Sequence, residues 1–253
     1  MRPAGAAARR GARLALALAC ALAAAPGALA AQPAQAAPAA KGAGGPAADS
    51  AALALLERTA KAYQGARTLR AEFTQALVNP RTRTDLRSRG EFLQQGSAKF
   101  AFRFSEPPED RIVSDGSVLW LYSPSTAKGQ VLKMPRAAGA GLDLVTAVLR
   151  EPAKRFTVTA LGDTSLDGNG VRAMRLVPRA QGGPFQRAVV WLDLKSALVR
   201  KAEFTEASGL VRTVTFTRIR TGAALPKDAF TFTPPAGVRV IDQAALLGGS
   251  AKP

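Results

Sequence analysis

Bond-making chemistry has little to work with in this chain. Its 253 residues include no histidine, so the usual proton shuttle and the commonest metal ligand are both missing. The single cysteine, Cys20, lies inside an apolar N-terminal run. Glu106, Glu109 and Asp110 form the densest carboxylate group. An acid–base pair needs shelter, and these flank Pro107-Pro108 at a strand end, where a solvated loop is expected. Asp167-Gly168-Asn169-Gly170 has the look of a calcium-loop fragment but lacks the spaced carboxylates, and reads as a hairpin turn. No glycine-rich phosphate cradle links a strand to a helix. These observations assign no catalytic residue, no cofactor and no metal, and the chain is not expected to be an enzyme. What it does offer is hydrocarbon. Phe100, Phe102 and Phe104 share one face of an alternating run, with Lys99, Ala101 and Arg103 on the other. Such side chains exclude water, either to fill a core or to hold an apolar ligand.

The elements that position them are mostly strands. In Arg111 to Pro124, two apolar runs flank Ser114-Asp115-Gly116-Ser117, which predicts a hairpin. Val118, Trp120 and Tyr122 share one face of its second arm and Leu119 and Leu121 the other, so both faces are apolar and both need cover. Period-two patterning starts at Thr68, with Leu69, Ala71 and Phe73 alternating with polar residues. A basic segment (Arg81, Arg83, Arg87, Arg89) precedes a strand over Gly90–Gln94, and further strands are predicted at Gln130–Met134, Phe156–Leu161, Val171–Val177, Arg187–Leu194, Leu198–Glu206, Leu210–Arg220, Phe230–Thr233 and Val238–Ile241. Helix is predicted after an Asp49 or Ser50 cap, with Leu53, Leu56, Ala60 and Tyr63 on one stripe and Gly65 at the end, and again over Leu142–Leu149, stopped at Glu151-Pro152. About eleven short strands, few helices and no βαβ spacing predict one antiparallel sheet, and a sheet that large curls. Its concave side either receives the chain's own helices or leaves room for an apolar ligand.

Residues 1–30 read as a secretory signal: Arg2, Arg9, Arg10 and Arg13 precede the apolar run Leu14–Ala25, and Ala28-Leu29-Ala30 forms an A-x-A cleavage site. Cleavage there lowers the formal charge from +17 to +13, because four arginines and no acidic residue are removed. A chain this basic suits anionic partners such as a membrane surface or an acidic protein patch. Export and the absence of any recognition motif argue against nucleic acid. The alternative is that Cys20 is lipidated, although Ala17 stands where a lipobox has leucine. Residues 31–48 are expected to form an Ala/Pro/Gly-rich disordered linker, 49–243 the folded domain and 244–253 a flexible tail.

Three stretches, "LRAEFTQ" (Leu69–Gln75), "IVSDGSVLWLYSP" (Ile112–Pro124) and "FTFTPPAGVRVIDQ" (Phe230–Gln243), stand in the order and spacing of the periplasmic outer-membrane lipoprotein carriers, the LolA type, which this chain resembles from Ala51 to Gln243. The resemblance implies a mainly β fold: an incomplete, half-open antiparallel β-barrel with helices forming a lid over an apolar cavity. It implies a monomeric periplasmic carrier that takes lipoproteins, its cargo, from an inner-membrane ABC transporter. It would deliver them to the outer membrane, directly or through an acceptor there. Phe73, Phe92, Phe100, Phe102, Trp120 and Tyr122 would then contact acyl chains. The family often has an arginine at the position of Gly96 that holds the lid shut. Here Lys99 or Arg103 would take over that lid or partner contact, or the empty form would be more open, or this member would have a different cargo. If Cys20 were lipidated, the resemblance would be to the membrane-anchored acceptor of the same fold, and a lipid- or lipoprotein-sensing regulator is a further alternative.

Overall fold

Alternation becomes a single sheet in the computed structural model, which describes residues 45–136 and 144–244. In chain order its elements are α1 (Pro46–Gly65), β1 (Thr68–Asn79), β2 (Thr84–Gln95), β3 (Lys99–Glu106), β4 (Arg111–Ser114), β5 (Val118–Tyr122), β6 (Gln130–Pro135), α2 (Leu144–Leu149), α3 (Pro152–Arg155), β7 (Phe156–Leu166), β8 (Asn169–Pro178), β9 (Arg187–Asp193), β10 (Val199–Thr205), β11 (Val211–Thr221) and β12 (Arg239–Asp242). The sheet has 12 strands in the order β12-β6-β5-β4-β3-β2-β1-β11-β10-β9-β8-β7. Every neighbouring pair is antiparallel except β12 with β6, which run parallel. β12 and β7 end the order without pairing to each other, so the sheet curls around its contents but does not close.

Several boundaries differ from the expectation, each for a physical reason. β2 begins at Thr84, inside the basic segment, because the far half of β1 pairs with it residue for residue from Asn79↔Thr84 to Thr68↔Gln95. A backbone ladder of that length does not need apolar side chains. Phe230–Thr233 is not a strand: turns donate Ala229 N to Pro226 O and Thr231 N to Asp228 O, and the segment lies across the sheet instead of extending it. Pro152 opens α3, where its fixed φ and missing N–H cost nothing. α1 begins at Pro46 behind Gly45, so the helix takes in the last residues assigned to the linker, and Asp49 sits in its first turn instead of capping it. Residues 1–44, with the expected signal and Cys20, and 245–253 of the expected tail lie outside the described residues.

α1 buries Ala52, Leu55, Leu56, Thr59, Ala60 and Tyr63, spaced three and four apart as one helical face requires, while Leu53 lies at the edge of that stripe. This face joins one core cluster with Phe73, Phe92 and Phe102 from one half of the sheet and Met174, Val190 and Phe204 from the other. Burial pushes the Tyr63 phenol above its ordinary range, partly offset by hydrogen bonding with the Val199 backbone and by Arg200. Two polar tethers fix the helix. Asp49 Oδ1 accepts from Ala160 N at 2.7 Å, beside the bulge between Ala160 and Gly162 in β7, and Arg58 Nη2 donates to Leu194 O at 2.7 Å.

The β9–β10 turn is held by Asp193. Its Oδ1 accepts from the amides of Lys195 and Ser196, and its Oδ2 from Arg200 Nε and Nη2 at 3.0 and 2.9 Å. Burial pushes the Asp193 carboxyl up, but the hydrogen bonds from Ser196 and Arg200 more than reverse this and hold it below the ordinary carboxylate range. A carboxylate lowered in the folded state stabilises fully above its unfolded value, about 3.9, and that contribution drains away as pH falls through the folded value. Asp193→Asn is therefore expected to flatten the acid limb of a melting-temperature profile below about pH 4. An unchanged slope there would show that the acid sensitivity lies elsewhere.

Candidate functional site

Register decides which aromatic side chains meet. Directly opposed residues in antiparallel strands share a face, and Ala71↔Phe92↔Phe102↔Ile112↔Leu121 runs across five strands as one inward row. Phe73 pairs with Phe216 on β11, and Gly90 lies between Phe73 and Phe104. A Cβ on Gly90 would run into the Arg103 carbonyl oxygen and stand 2.8 Å from Phe104 Cα, so only glycine fits where β2 closes on β3. With no side chain between them, the Phe73 and Phe104 rings meet at 5.2 Å.

The result is a continuous aromatic wall on the concave face. Phe92 and Phe102 rings lie 4.7 Å apart, Phe73 and Phe102 5.1 Å, Phe92 and Phe216 5.4 Å, and Phe100 and Phe102 6.2 Å. Four of the six expected apolar contacts, Phe73, Phe92, Phe100 and Phe102, are thus brought together. All four are buried, in one core cluster that also takes in residues of α1 and α2.

Trp120 and Tyr122 are not part of that wall. Trp120 is opposite Val113, and Val113 belongs to a second cluster with Leu93, Ala101 and Ala229 on the convex face. There the segment between β11 and β12 crosses the sheet as a strap. Its Phe232 ring lies 5.5 Å from both Trp120 and Tyr122, and Leu225 and Phe230 pack on the same cluster. Lys133 stands over the Trp120 ring at 5.9 Å and bonds to Asp242 at 2.9 Å. Both apolar faces of β5 are therefore covered, one by the main core and one by the strap.

Lys99 and Arg103 also fall on the convex side, alternating with the inward phenylalanines. Lys99 is exposed, and Arg103 Nη2 donates to Asp228 O of the strap at 3.1 Å. Neither reaches the helices. At the β2–β3 turn, Gly96 has φ +58°, and the next carbonyl, Ser97 O, is held by Arg136 Nη2 at 2.8 Å. Behind that turn is a cavity of about 250 Å³, lined by Ala60, Tyr63 and Gln64 of α1, Gln94 and Ser97, and Leu149 and Arg150 at the end of α2.

Two of the three acidic candidates hold local structure, and Glu109 is exposed. Asp110 accepts from Ser125 N and Oγ at 3.2 and 2.7 Å, and Glu106 pairs with Arg89. Among the described residues no three His, Cys, Asp or Glu side chains gather as a metal site, and no helix is long and apolar enough to cross a membrane. Sequence reasoning took Asp49 for a helix cap and missed Arg58 and Gln94. The Asp49 and Arg58 partners lie 111 and 136 residues away, beyond any local pattern. Gln94 had a signal, being a polar residue where alternation demands an inward one.

A family model described as outer membrane lipoprotein carrier protein LolA matches residues 64–233. An outer-membrane lipoprotein carrier protein of Methylibium petroleiphilum is 34% identical over 180 residues, covering 70% of this chain and 84% of that protein. One of Methylococcus capsulatus is 29% identical over 177 residues, covering 70% and 82%. Among solved structures, an uncharacterized conserved protein from Thermus thermophilus superposes with a TM-score of 0.50 at 15% identity, covering 76% of this chain and 99% of that one, a likeness of fold alone.

Proposed function

Because this chain belongs to the LolA family of outer-membrane lipoprotein carriers, we propose that it binds the acyl chains of lipoproteins on its phenylalanine wall and carries them across the periplasm. The observation that carries this reading is the cover on that wall. The core on the concave aromatic face is completed by helices, α1, tethered at Asp49 and Arg58, and the end of α2, and not by a second sheet. A helix can lift from a sheet without breaking a strand ladder, and what it uncovers is Phe73, Phe92, Phe100 and Phe102.

The energetic need is large. An acyl chain of sixteen carbons left in water costs roughly 12 kcal/mol, at about 0.8 kcal/mol per CH₂. The closed state offsets part of that gain, because acyl chains displace α1 from apolar contacts it already makes. Binding is then strong enough to carry and weak enough to release. Cargo arrives from an inner-membrane ABC transporter and leaves to the outer membrane or to an acceptor there. The work is carriage, with no bond made or broken.

Intact mass of the protein purified gently from its own envelope, native and then denatured, tests this. The expected result is a chain starting at Ala31 with acylated protein or peptide bound only in the native spectrum. A native spectrum without acylated material, unchanged after incubation with detergent-solubilised lipoprotein, would rule out carriage. A chain starting at an acylated Cys20 would make the protein a membrane-anchored acceptor.

A further inference from the structure

Carriage leaves the basic segment around the start of β2 unused. β1 and β2 meet in a hairpin whose turn holds Arg81 and Arg83. The turn is ordered: Asn79 Oδ1, on a residue only 7% exposed, accepts from Arg81 N at 3.0 Å, and the Thr82 and Thr84 hydroxyls share a hydrogen bond of 2.7 Å. Arg83 stands at φ +53°, in the left-handed region that favours glycine or asparagine. Two arginines of the segment already have carboxylates, Arg87 with Asp85 and Arg89 with Glu106. Arg81 and Arg83 are exposed, and among the described residues no carboxylate pairs with either guanidinium.

The same hairpin carries hydrocarbon that the core does not use. Leu77 is opposite Leu86, and alternation from Phe73 and Phe92 puts both on the concave face. The Gln75–Ser88 hydrogen bond, 3.3 Å, separates them from the phenylalanine wall. Neither leucine joins a core cluster, and Leu86 is 47% exposed, the highest value among the large apolar side chains of the described residues. The β2–β3 ladder stops at Arg89↔Glu106, so β3 leaves Thr84 to Ser88 unpaired on that side.

We infer that the tip of this hairpin docks on an anionic phospholipid bilayer, with Arg81 and Arg83 against lipid phosphates and Leu86 in the hydrocarbon beneath them. A bilayer surface offers negative charge and hydrocarbon within about one side chain's depth, and the tip offers the complement of both. An acidic protein would match only the cations. Nor does the unpaired edge of β2 invite a partner strand, because Asp85 and Arg87, paired with each other, blunt it. Docking gives the carrier its own contact with a membrane and does not rest on the carriage reading, since the empty protein presents the same tip.

Flotation of the empty protein with phosphatidylethanolamine–phosphatidylglycerol vesicles, against phosphatidylcholine vesicles, tests this. The protein should float with the first and not the second, and less as salt rises. Arg81→Ser combined with Arg83→Ser should weaken binding by about tenfold to thirtyfold, and Leu86→Ser by about threefold to tenfold with the salt dependence kept. Lys195→Ser combined with Arg220→Ser removes the same charge from the opposite end of the strands and should bind as the wild type does. The inference is overturned if the wild-type protein binds neither vesicle or both alike, or if the Arg81/Arg83 variant or Leu86→Ser binds normally. Equal losses in the two double variants would also overturn it, by showing diffuse charge attraction. Binding to polyglutamate that needs Arg81 and Arg83, without vesicle binding, would give the tip to an acidic protein instead. Carriage is read separately, by titrating a fluorescent hexadecanoyl probe without vesicles, so either reading can fail alone.

Discussion

Asp49→Ala is expected to lower the melting temperature and, in the same protein, tighten acyl binding by about tenfold to a hundredfold. The two opposite signs share one cause. Asp49 Oδ1 holds the amide of Ala160, a residue only 4% exposed, and this bond anchors the first turn of α1 to β7. A hydrogen bond to a charged group contributes about 1.5–3 kcal/mol, and its loss also strands a buried N–H. That energy comes out of the closed state alone. Where a ligand binds only after the helix has lifted, apparent affinity scales with the open fraction, so weakening the closed state raises it by the same factor. Circular dichroism melts and titration of a fluorescent hexadecanoyl probe measure the two arms. A lower melting temperature with unchanged affinity would show that α1 is not the element acyl chains displace.

Phe92→Ala should produce the largest stability loss of any single inward substitution, about 3–5 kcal/mol, or on the order of 10 °C in melting temperature. Phe92 is 1% exposed and its ring lies against Phe102 on one side and Phe216 on the other, so it links β3 to β11 across the two strands between them. Nothing adjacent can collapse into the space, because the wall is built on backbone-paired strands. Urea unfolding should show a lower midpoint at unchanged slope. Phe92→Leu should recover most of the loss, since it restores hydrocarbon without the ring. A loss below about 1 kcal/mol would mean the wall repacks freely, contrary to the cost expected of a packed core.

Much of this is legible in the residues, and the failures share a physical origin. Alternation finds most strands, and the Asp115-Gly116 hairpin is as expected, with Gly116 at φ +106° and Asp115 Oδ1 accepting from Ser117 N and Val118 N. The apolar character of both faces of β5 announces cover on both sides. What period two cannot supply is the sign of a face. Where both faces are apolar, only register with the neighbours says which is inward, and register is set by turn type and loop length, which the apolar pattern does not reveal. Sequence alone therefore groups Trp120 and Tyr122 with Phe100, although Val113↔Trp120 places them under the strap. Phe230–Thr233 alternates like a strand, but β12 occupies the edge beside β6, and the segment packs as cover.

The strand order also has a kinetic consequence. β2 to β6 form one meander of short-range pairings and β7 to β11 another, and the ladder that joins them is β1 against β11, where Val78 meets Val211 and Leu69 meets Thr221. Closing that seam carries the loop entropy of most of the domain, so it sets the pace of folding. Until β11 is available, the first meander lacks the other half of its core, and α1 alone is at hand to cover its phenylalanines. A protein whose finished form shields the hydrocarbon of others thus passes through a stage in which its own needs shielding, and its yield should depend on how quickly the last third of the chain arrives.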